Sequence, residues 1–371
     1  MRKPQPLFAK WVSQSIQWNL TGASYDAAAA IKEALKVLQP QGSPAAATAP
    51  PPGLDELMRE AKAKRESALE KATGQVSAGE FSTRTHTGLT GRRAYKLYVP
   101  PNANNSTPLP LVLMLHGCKQ DPDDFAAGTR MNELASELGF LVLYPAQPPR
   151  SNQAKCWNWF QPSDQRRGNG ECAFLADLTR HVIATQGVDP EQVYVAGLSA
   201  GGAMTAILGR EYPDIFAAIG VHSGLPRGAA HDIPSAFAAM RGSAPLSPAR
   251  AKAAPYNFHV PAIVFHGDAD ATVHASNGDE LIADATSAWP QINLVHTTKG
   301  EQGGRQFTMT AYDDSHGLTQ AEHWVLHGAG HAWSGGSADG SYTDADGPDA
   351  SREMLRFFLE HRRLILTNSH A

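Results

Sequence analysis

The sequence predicts an α/β protein: a mostly parallel central sheet with helices on both faces, preceded by a helical N-terminal extension. Three observations lead there. From about residue 85, short apolar runs alternate with helical stretches, the texture of βαβ units. Before that, a proline-rich run at 39–53 separates two stretches of helical patterning. Finally, 371 residues with 42% hydrophobic content supply a large buried core and exclude wholesale disorder.

Taken in chain order, residues 24–38 place Ala28, Ile31, Leu35 and Leu38 at helical spacing. Residues 54–72 repeat the pattern with Leu54, Leu57, Met58, Ala61 and Leu69. Between them, QPQGSPAAATAPPPG has five prolines and two glycines, too few donors and too little apolar surface for a packed element. It reads as a linker inside an extension covering 1–80. The plain reading of that extension is packing or solubility; the sharper one is contact of its helices with a hydrophobic surface. The α/β domain is assigned 81–365. Its strand candidates are Ala94–Val99, Leu109–His116, Leu141–Pro145, Val193–Gly197, Ala217–Val221 and Ala262–His266, each rich in Val, Leu, Ile or aromatic residues. Helices are expected at roughly 173–186, 200–211 and 277–288. Phe307–Tyr312 and Glu322–Leu326 flank the turn DDSHG and read as paired strands, and Asp349 is placed to cap a last helix running to about His361.

Composition narrows the function. A net charge of −4 disfavours a phosphate-driven nucleic-acid binder. Apolar runs such as Leu109–Leu115 fall far short of the roughly 20 residues that span a bilayer. At the N-terminus, Lys10, Ser13, Gln14 and Gln17 interrupt any signal-peptide core, so the sequence alone reads as cytoplasmic. Three cysteines, Cys118, Cys156 and Cys172, allow one internal bridge and one free thiol.

The sharpest local feature is VYVAGLSAGGAM, in which a β-branched strand ends at Gly197 and a small-residue helix begins after Ser199. Gly197-Leu198-Ser199-Ala200-Gly201 fits the G-x-S-x-G elbow in a strand–turn–helix setting. Such a turn forces the serine into a strained conformation and lifts its hydroxyl to the carboxyl end of a central strand, near helix amides that favour negative charge. An ordinary turn serine would have no partners downstream, whereas here an acid and a base follow in order. Serine needs a histidine to take its proton and a carboxylate to orient that histidine. His331, in the glycine-flanked HGAGHAWSGG, is the choice; His327, nearer the strand, reads as structural, bonding backbone. The acid comes from FHGDADATV, where Asp270 has the reach and Asp268 orients the loop. The His327/His331 spacing suggests metal ligation, but Gly-Ala-Gly between them argues against a helix and no third ligand is evident, so neither metal nor cofactor is expected. An alkoxide formed at Ser199 needs two amide donors: Ala200 N–H, and Cys118 N–H in the His116-Gly117-Cys118 loop. A Cys118–Cys156 bridge would fix that loop and bring Trp157, Trp159 and Phe160 beside the cleft, although spacing does not set connectivity. Trp157, Trp159 and Trp333 are candidate substrate contacts, with simple burial as the alternative.

Together LHGCKQDPDDFAAGTRMNELASELGFLVLYPAQ, CWNWF, VYVAGLSAGGAM, FHGDADATV and GAGHAWSGG resemble the poly(3-hydroxybutyrate) depolymerase family of esterases, across roughly 90–360. The resemblance implies an α/β-hydrolase fold with the oxyanion loop before the serine box, Ser199 as nucleophile, Asp270 as acid, His331 as base and HGC for the oxyanion. It implies a serine ester hydrolase acting on short-chain hydroxyalkanoate polyester or oligoester. Relatives are often extracellular and usually carry a signal peptide, a linker domain and a C-terminal polymer-binding domain, whereas this sequence stops soon after His361. The same scaffold resembles feruloyl and acetylxylan esterases. Rival expectations are a non-catalytic polymer-granule binding protein and acyl transfer to an alcohol.

Overall fold

The computed structural model describes residues 79–363 except 89, 102, 104–106, 243–259, 288 and 290–291. These belong to one compact unit, Gln75–Ala371. The helices expected at 24–38 and 54–72 and the linker at 39–53 lie outside the described residues.

Ten strands form one sheet: β1 (Glu80–Gly88), β2 (Gly91–Val99), β3 (Leu109–Leu115), β4 (Leu141–Pro145), β5 (Val188–Leu198), β6 (Ala218–His222), β7 (Ala262–Gly267), β8 (Ile292–Gln302), β9 (Arg305–Asp314) and β10 (Thr319–Leu326). Their spatial order is β1-β2-β4-β3-β5-β6-β7-β10-β9-β8. The centre from β4 to β10 is parallel throughout, and antiparallel pairs close both sides. Two further short strands, β11 (Trp333–Ser334) and β12 (Thr343–Asp344), pair with each other.

A parallel sheet must be covered on both faces, and alternate strand residues divide accordingly. Leu111, Leu113, Val193, Val195, Val221 and Val264 face one core, which α3 (Gly170–Thr185), α4 (Ala200–Glu211), α5 (Ile233–Met240) and α6 (Ser276–Ser287) cover with Leu178, Ile207, Ala239 and Leu281. Val112, Met114, Tyr194, Ala196, Ile263 and Phe265 face the other, under α1 (Pro122–Thr129), α2 (Met131–Leu138) and α7 (Ala350–Leu359). On α7, Met354, Leu355, Phe357 and Phe358 are buried and Phe358 stacks on Tyr194 at 5.0 Å between centroids. Each such side chain contributes roughly 1.5–3 kcal/mol on burial. Asp349 caps this helix, its carboxylate accepting from Arg352 N at 3.0 Å.

The central strands fall within two residues of their predicted ends except at β5 and β10, which start five and three residues earlier than expected. Several elements have no counterpart in the sequence reading. β8 is exposed along most of its length and so shows no apolar alternation, while α1, α2 and α5 are eight residues each, too short for a helical period to stand out. No helix among the described residues is long and apolar enough to cross a membrane.

Candidate active site

Because β3, β5, β7 and β10 run in parallel, the loops leaving their carboxyl ends gather at one edge of the sheet. Those four loops carry His116-Gly117-Cys118, Ser199, Asp270 and His331 respectively.

Ser199 sits between β5 and α4 with φ 58° and ψ −118°. This sparsely allowed conformation costs on the order of 1–3 kcal/mol and persists because the surroundings leave no alternative. A Cβ on Gly201 would collide with the carbonyl of Leu115 on the neighbouring strand, so only glycine lets the start of α4 pass. Ser199 N donates to His222 O at 2.9 Å, which ties the elbow to the end of β6. Ser199 is half-buried and its hydroxyl makes no hydrogen bond among the described residues. Contacts of this kind often lengthen in a ligand-free enzyme and tighten once substrate is bound.

The His116-Gly117-Cys118 loop packs beside it: a Cβ built on Gly117 would lie 3.6 Å from Ser199 Cβ. Gly117 N donates to Gln120 Oε1 at 2.8 Å and Lys119 N to Ala154 O at 2.7 Å, so the amides flanking Cys118 are both spoken for. The N–H groups of Cys118 and Ala200 meet no acceptor among the described residues. Buried orphan amides are rare, and Ala200 is only 3% exposed. The partly buried Cys118 N–H and the buried Ala200 N–H lie on adjoining loops, each free to donate to a negatively charged group. Cys118 is bridged to Cys156, which removes its thiol from consideration as a nucleophile. Cys172 is the free thiol, buried and pushed up to about 12 by that burial.

Asp270 and His331 meet at the same edge. The Asp270 side chain is fully buried, its Oδ1 accepting from Thr272 N at 2.9 Å and Val273 N at 2.8 Å. That leaves Oδ2 for His331 Nδ1 at 2.7 Å. Burial pushes this carboxyl up, but the His331 hydrogen bond and charge and the two amides outweigh it, holding Asp270 below the usual carboxylate range. An ionised carboxylate only accepts, so the His331 proton lies on Nδ1 and Nε2 keeps its lone pair.

A second pair runs alongside. Asp268 Oδ2 lies 2.8 Å from His327 Nδ1, its Oδ1 accepts from Gly328 N at 2.6 Å, and His327 Nε2 meets Thr308 Oγ1 at 2.8 Å. Both side chains are about 40% exposed. Where backbone bonding was expected of His327, its ring bonds the side chains of Asp268 and Thr308, fastening the loop after β7 to that after β10. The two histidines therefore take separate carboxylates.

His222 is the residue that the sequence did not mark. It is fully buried between Phe265 and Trp333, its carbonyl holds Ser199, and its Nε2 accepts from Ser334 N at 3.1 Å, three residues beyond His331. Nothing local in VHSG signals this, since both bonds cross to other loops.

The three tryptophans require correction. Trp157 and Trp333 are buried in the core at 0% and 1% exposure, their indole N–H groups bonded to His116 O and Ser351 Oγ at 3.0 Å each. Trp159 is also buried in the core, edge-on to Phe160. These three rings form no solvent-facing strip; the sheet needs bulk on both faces and they supply it.

Two buried histidines set an acid limit on stability. Burial pushes His116 down to about 4 and, with His266 and His331 nearby, His222 down to about 3. The unfolded chain takes these protons near pH 6.5. Below that pH it binds protons that the folded chain refuses, so stability falls by about 1.4 kcal/mol per pH unit for each histidine until its folded value is reached. Asp270, depressed instead, adds its loss only below about pH 4. The midpoint of thermal unfolding is expected to drop clearly between pH 7 and 4.5; an unchanged midpoint contradicts this.

A family model described as "Esterase PHB depolymerase" matches residues 93–302. The chain is 34% identical over 229 residues to poly(3-hydroxyalkanoate) depolymerase C of Paucimonas lemoignei, covering 60% of this chain and 54% of that one. It is 32% identical over 255 residues to poly(3-hydroxybutyrate) depolymerase of Ralstonia pickettii, covering 63% and 50%. Feruloyl esterase B of Neurospora crassa is 32% identical over 182 residues, covering 49% and 58%. The chain thus spans about half the length of these curated relatives. Among solved structures, an acetyl xylan esterase from Aspergillus awamori superposes with a TM-score of 0.60 at 18% identity, covering 75% of this chain and 99% of that one, a likeness of fold.

Proposed function

Since the chain belongs to the esterase PHB depolymerase family, we propose that it is a serine carboxylic-ester hydrolase working through an acyl-enzyme. Ser199 Oγ attacks the ester carbonyl while His331 Nε2 takes its proton, and the same proton passes to the leaving alkoxide. Asp270 holds the imidazole in the required tautomer and stabilises its charged form. The Cys118 and Ala200 amides receive the oxyanion, and water then repeats the sequence to free the acid. The observation that carries this reading is the buried Asp270–His331 pair at the sheet edge where Ser199 occupies a strained elbow beside two unpartnered amides.

Hydroxyalkanoate polyester or oligoester is the proposed substrate class, supported by the names of the two depolymerases matched above. The test is clearing of amorphous polyhydroxybutyrate beside hydrolysis of short p-nitrophenyl esters and a feruloylated sugar, each with Ser199→Ala as control. Clearing by the native protein alone is expected. Turnover confined to the feruloylated sugar would move the substrate to carbohydrate esters, and no turnover on any of the three would leave a binding protein.

The division into an extension at 1–80 and a catalytic domain at 81–365 belongs to the same proposal. Its helix-patterned stretches serve contact with a hydrophobic surface. Serine at Ile31 and Leu35 is expected to weaken adsorption to a polyester film while soluble-ester turnover stays unchanged; equal adsorption would remove the idea.

A further inference from the structure

Next to the oxyanion loop lies a buried polar node that neither the elbow nor the Asp–His pair uses. Its centre is Glu171, in the first turn of α3 and 3% exposed. The carboxylate accepts from Arg93 Nη2 at 3.0 Å, Gln147 Nε2 at 2.5 Å, Asn158 N at 2.7 Å and Asn158 Nδ2 at 3.0 Å. Arg93 also bonds Gln147 Oε1, and its guanidinium lies over the rings of Trp157 and Phe174 at 5.8 and 5.2 Å.

The donors come from separate segments: β2, the loop after β4, and the loop at 154–160. The latter two segments also hold the oxyanion loop. Gln147 N donates to His116 Nε2 at 3.3 Å, Trp157 Nε1 donates to His116 O at 3.0 Å, and Cys156 is bridged to Cys118. Gln147 Nε2 further donates to Cys156 O at 2.9 Å. These links to His116-Gly117-Cys118 start from Gln147, which is on Glu171, from Trp157, adjacent to Asn158, and from Cys156, whose carbonyl Gln147 holds.

Stability alone does not account for such a node. A buried ion pair returns about what its desolvation costs, and apolar side chains of similar volume would often hold the fold as well. Four directed hydrogen bonds do what apolar packing does not: they fix how the segments are oriented relative to one another.

We propose that Glu171 is a positioning residue for the oxyanion site, setting the aim of the Cys118 amide through Gln147, Asn158 and the Cys118–Cys156 bridge. The proposal rests on the ester-hydrolase reading above. An amide that must lie about 3 Å from an oxygen present only in the transition state is sensitive to small displacements, and a shift near 1 Å is enough for a roughly 100-fold loss.

The test uses the full chain carrying Glu171→Gln, which keeps the volume but turns an amide toward donors that need an acceptor. Two readings are taken: kcat and KM on a soluble p-nitrophenyl ester, and the inhibition constant of an alkylboronic acid that forms a tetrahedral adduct on serine. The expected result is a kcat lower by about 10–100-fold, KM little changed, and boronate affinity weakened in proportion. A folded variant with native kcat, or one with lower kcat but native boronate affinity, overturns the proposal. Should Glu171→Gln fail to fold, the half-buried Asn158→Ala decides on the same two readings, with a smaller loss expected in both. Native protein without Ser199-dependent turnover would overturn the ester-hydrolase reading and this proposal together; native kcat in the variants overturns this proposal only.

Discussion

Replacing Ser199 by alanine is expected to lower kcat on a soluble ester by about 10⁶-fold while leaving the thermal midpoint within a few degrees of the native value. The loss is large because the attacking hydroxyl itself is removed and neither Cys118 nor Cys172 can take its place. Cys118 is tied up in its bridge, and Cys172 is buried with its thiol pushed up to about 12. The fold should survive because the hydroxyl makes no hydrogen bond among the described residues, while the backbone bond from Ser199 N to His222 O remains. Any residual rate reflects binding and the oxyanion amides alone. Rate measurements on purified variant, with circular dichroism as the folding control, decide the matter; substantial turnover would remove Ser199 from the mechanism.

The next largest effect separates the two Asp–His pairs. Asp270→Asn is expected to cost about 10⁴ in kcat, because an amide nitrogen facing His331 Nδ1 would shift the imidazole proton to Nε2, where a lone pair is needed. Asn has the same shape, so the loops should stay in place and the loss should fall on the chemistry. Asp268→Asn is expected to cost less than about tenfold, since the His327 that it holds is half-exposed, bonded to Thr308 and not buried against the elbow. Parallel kinetics on the two variants check this. Equal losses, or the larger loss at Asp268, would reverse the assignment of the acid.

The reading of the elbow from sequence succeeded because its cause is local. Strand, turn and small-residue helix lie within a dozen consecutive residues, and the steric need for glycine around Ser199 is written there directly. The loops that bring Asp270 and His331 together were legible too, because each follows an apolar strand by a few residues. Sequence gave less purchase where the decisive contact joins distant loops. His222 connects the elbow to Ser334 through bonds spanning 23 and 112 residues, and Glu171 gathers Arg93, Gln147 and Asn158 from across the fold.

The tryptophans make the same point from the other side. CWNWF by itself leaves substrate contact and simple burial both open, and the structure has Trp157 fully buried, its indole N–H donating to His116 O. Whether an aromatic ring faces solvent or core depends on which layer lies over it, and that layer comes from elsewhere in the chain.

By itself, then, the sequence determined the class of fold, the strained serine turn and the loops that carry the Asp270–His331 pair, since these follow from apolar periodicity and short-range sterics. Only the tertiary structure decided which of two neighbouring aspartate–histidine pairs is buried, that Cys118 is bridged to Cys156, and that the tryptophans are core. Those outcomes depend on burial and on contacts between segments far apart in the chain, quantities that exist only once the sheet has brought its strand ends to one edge.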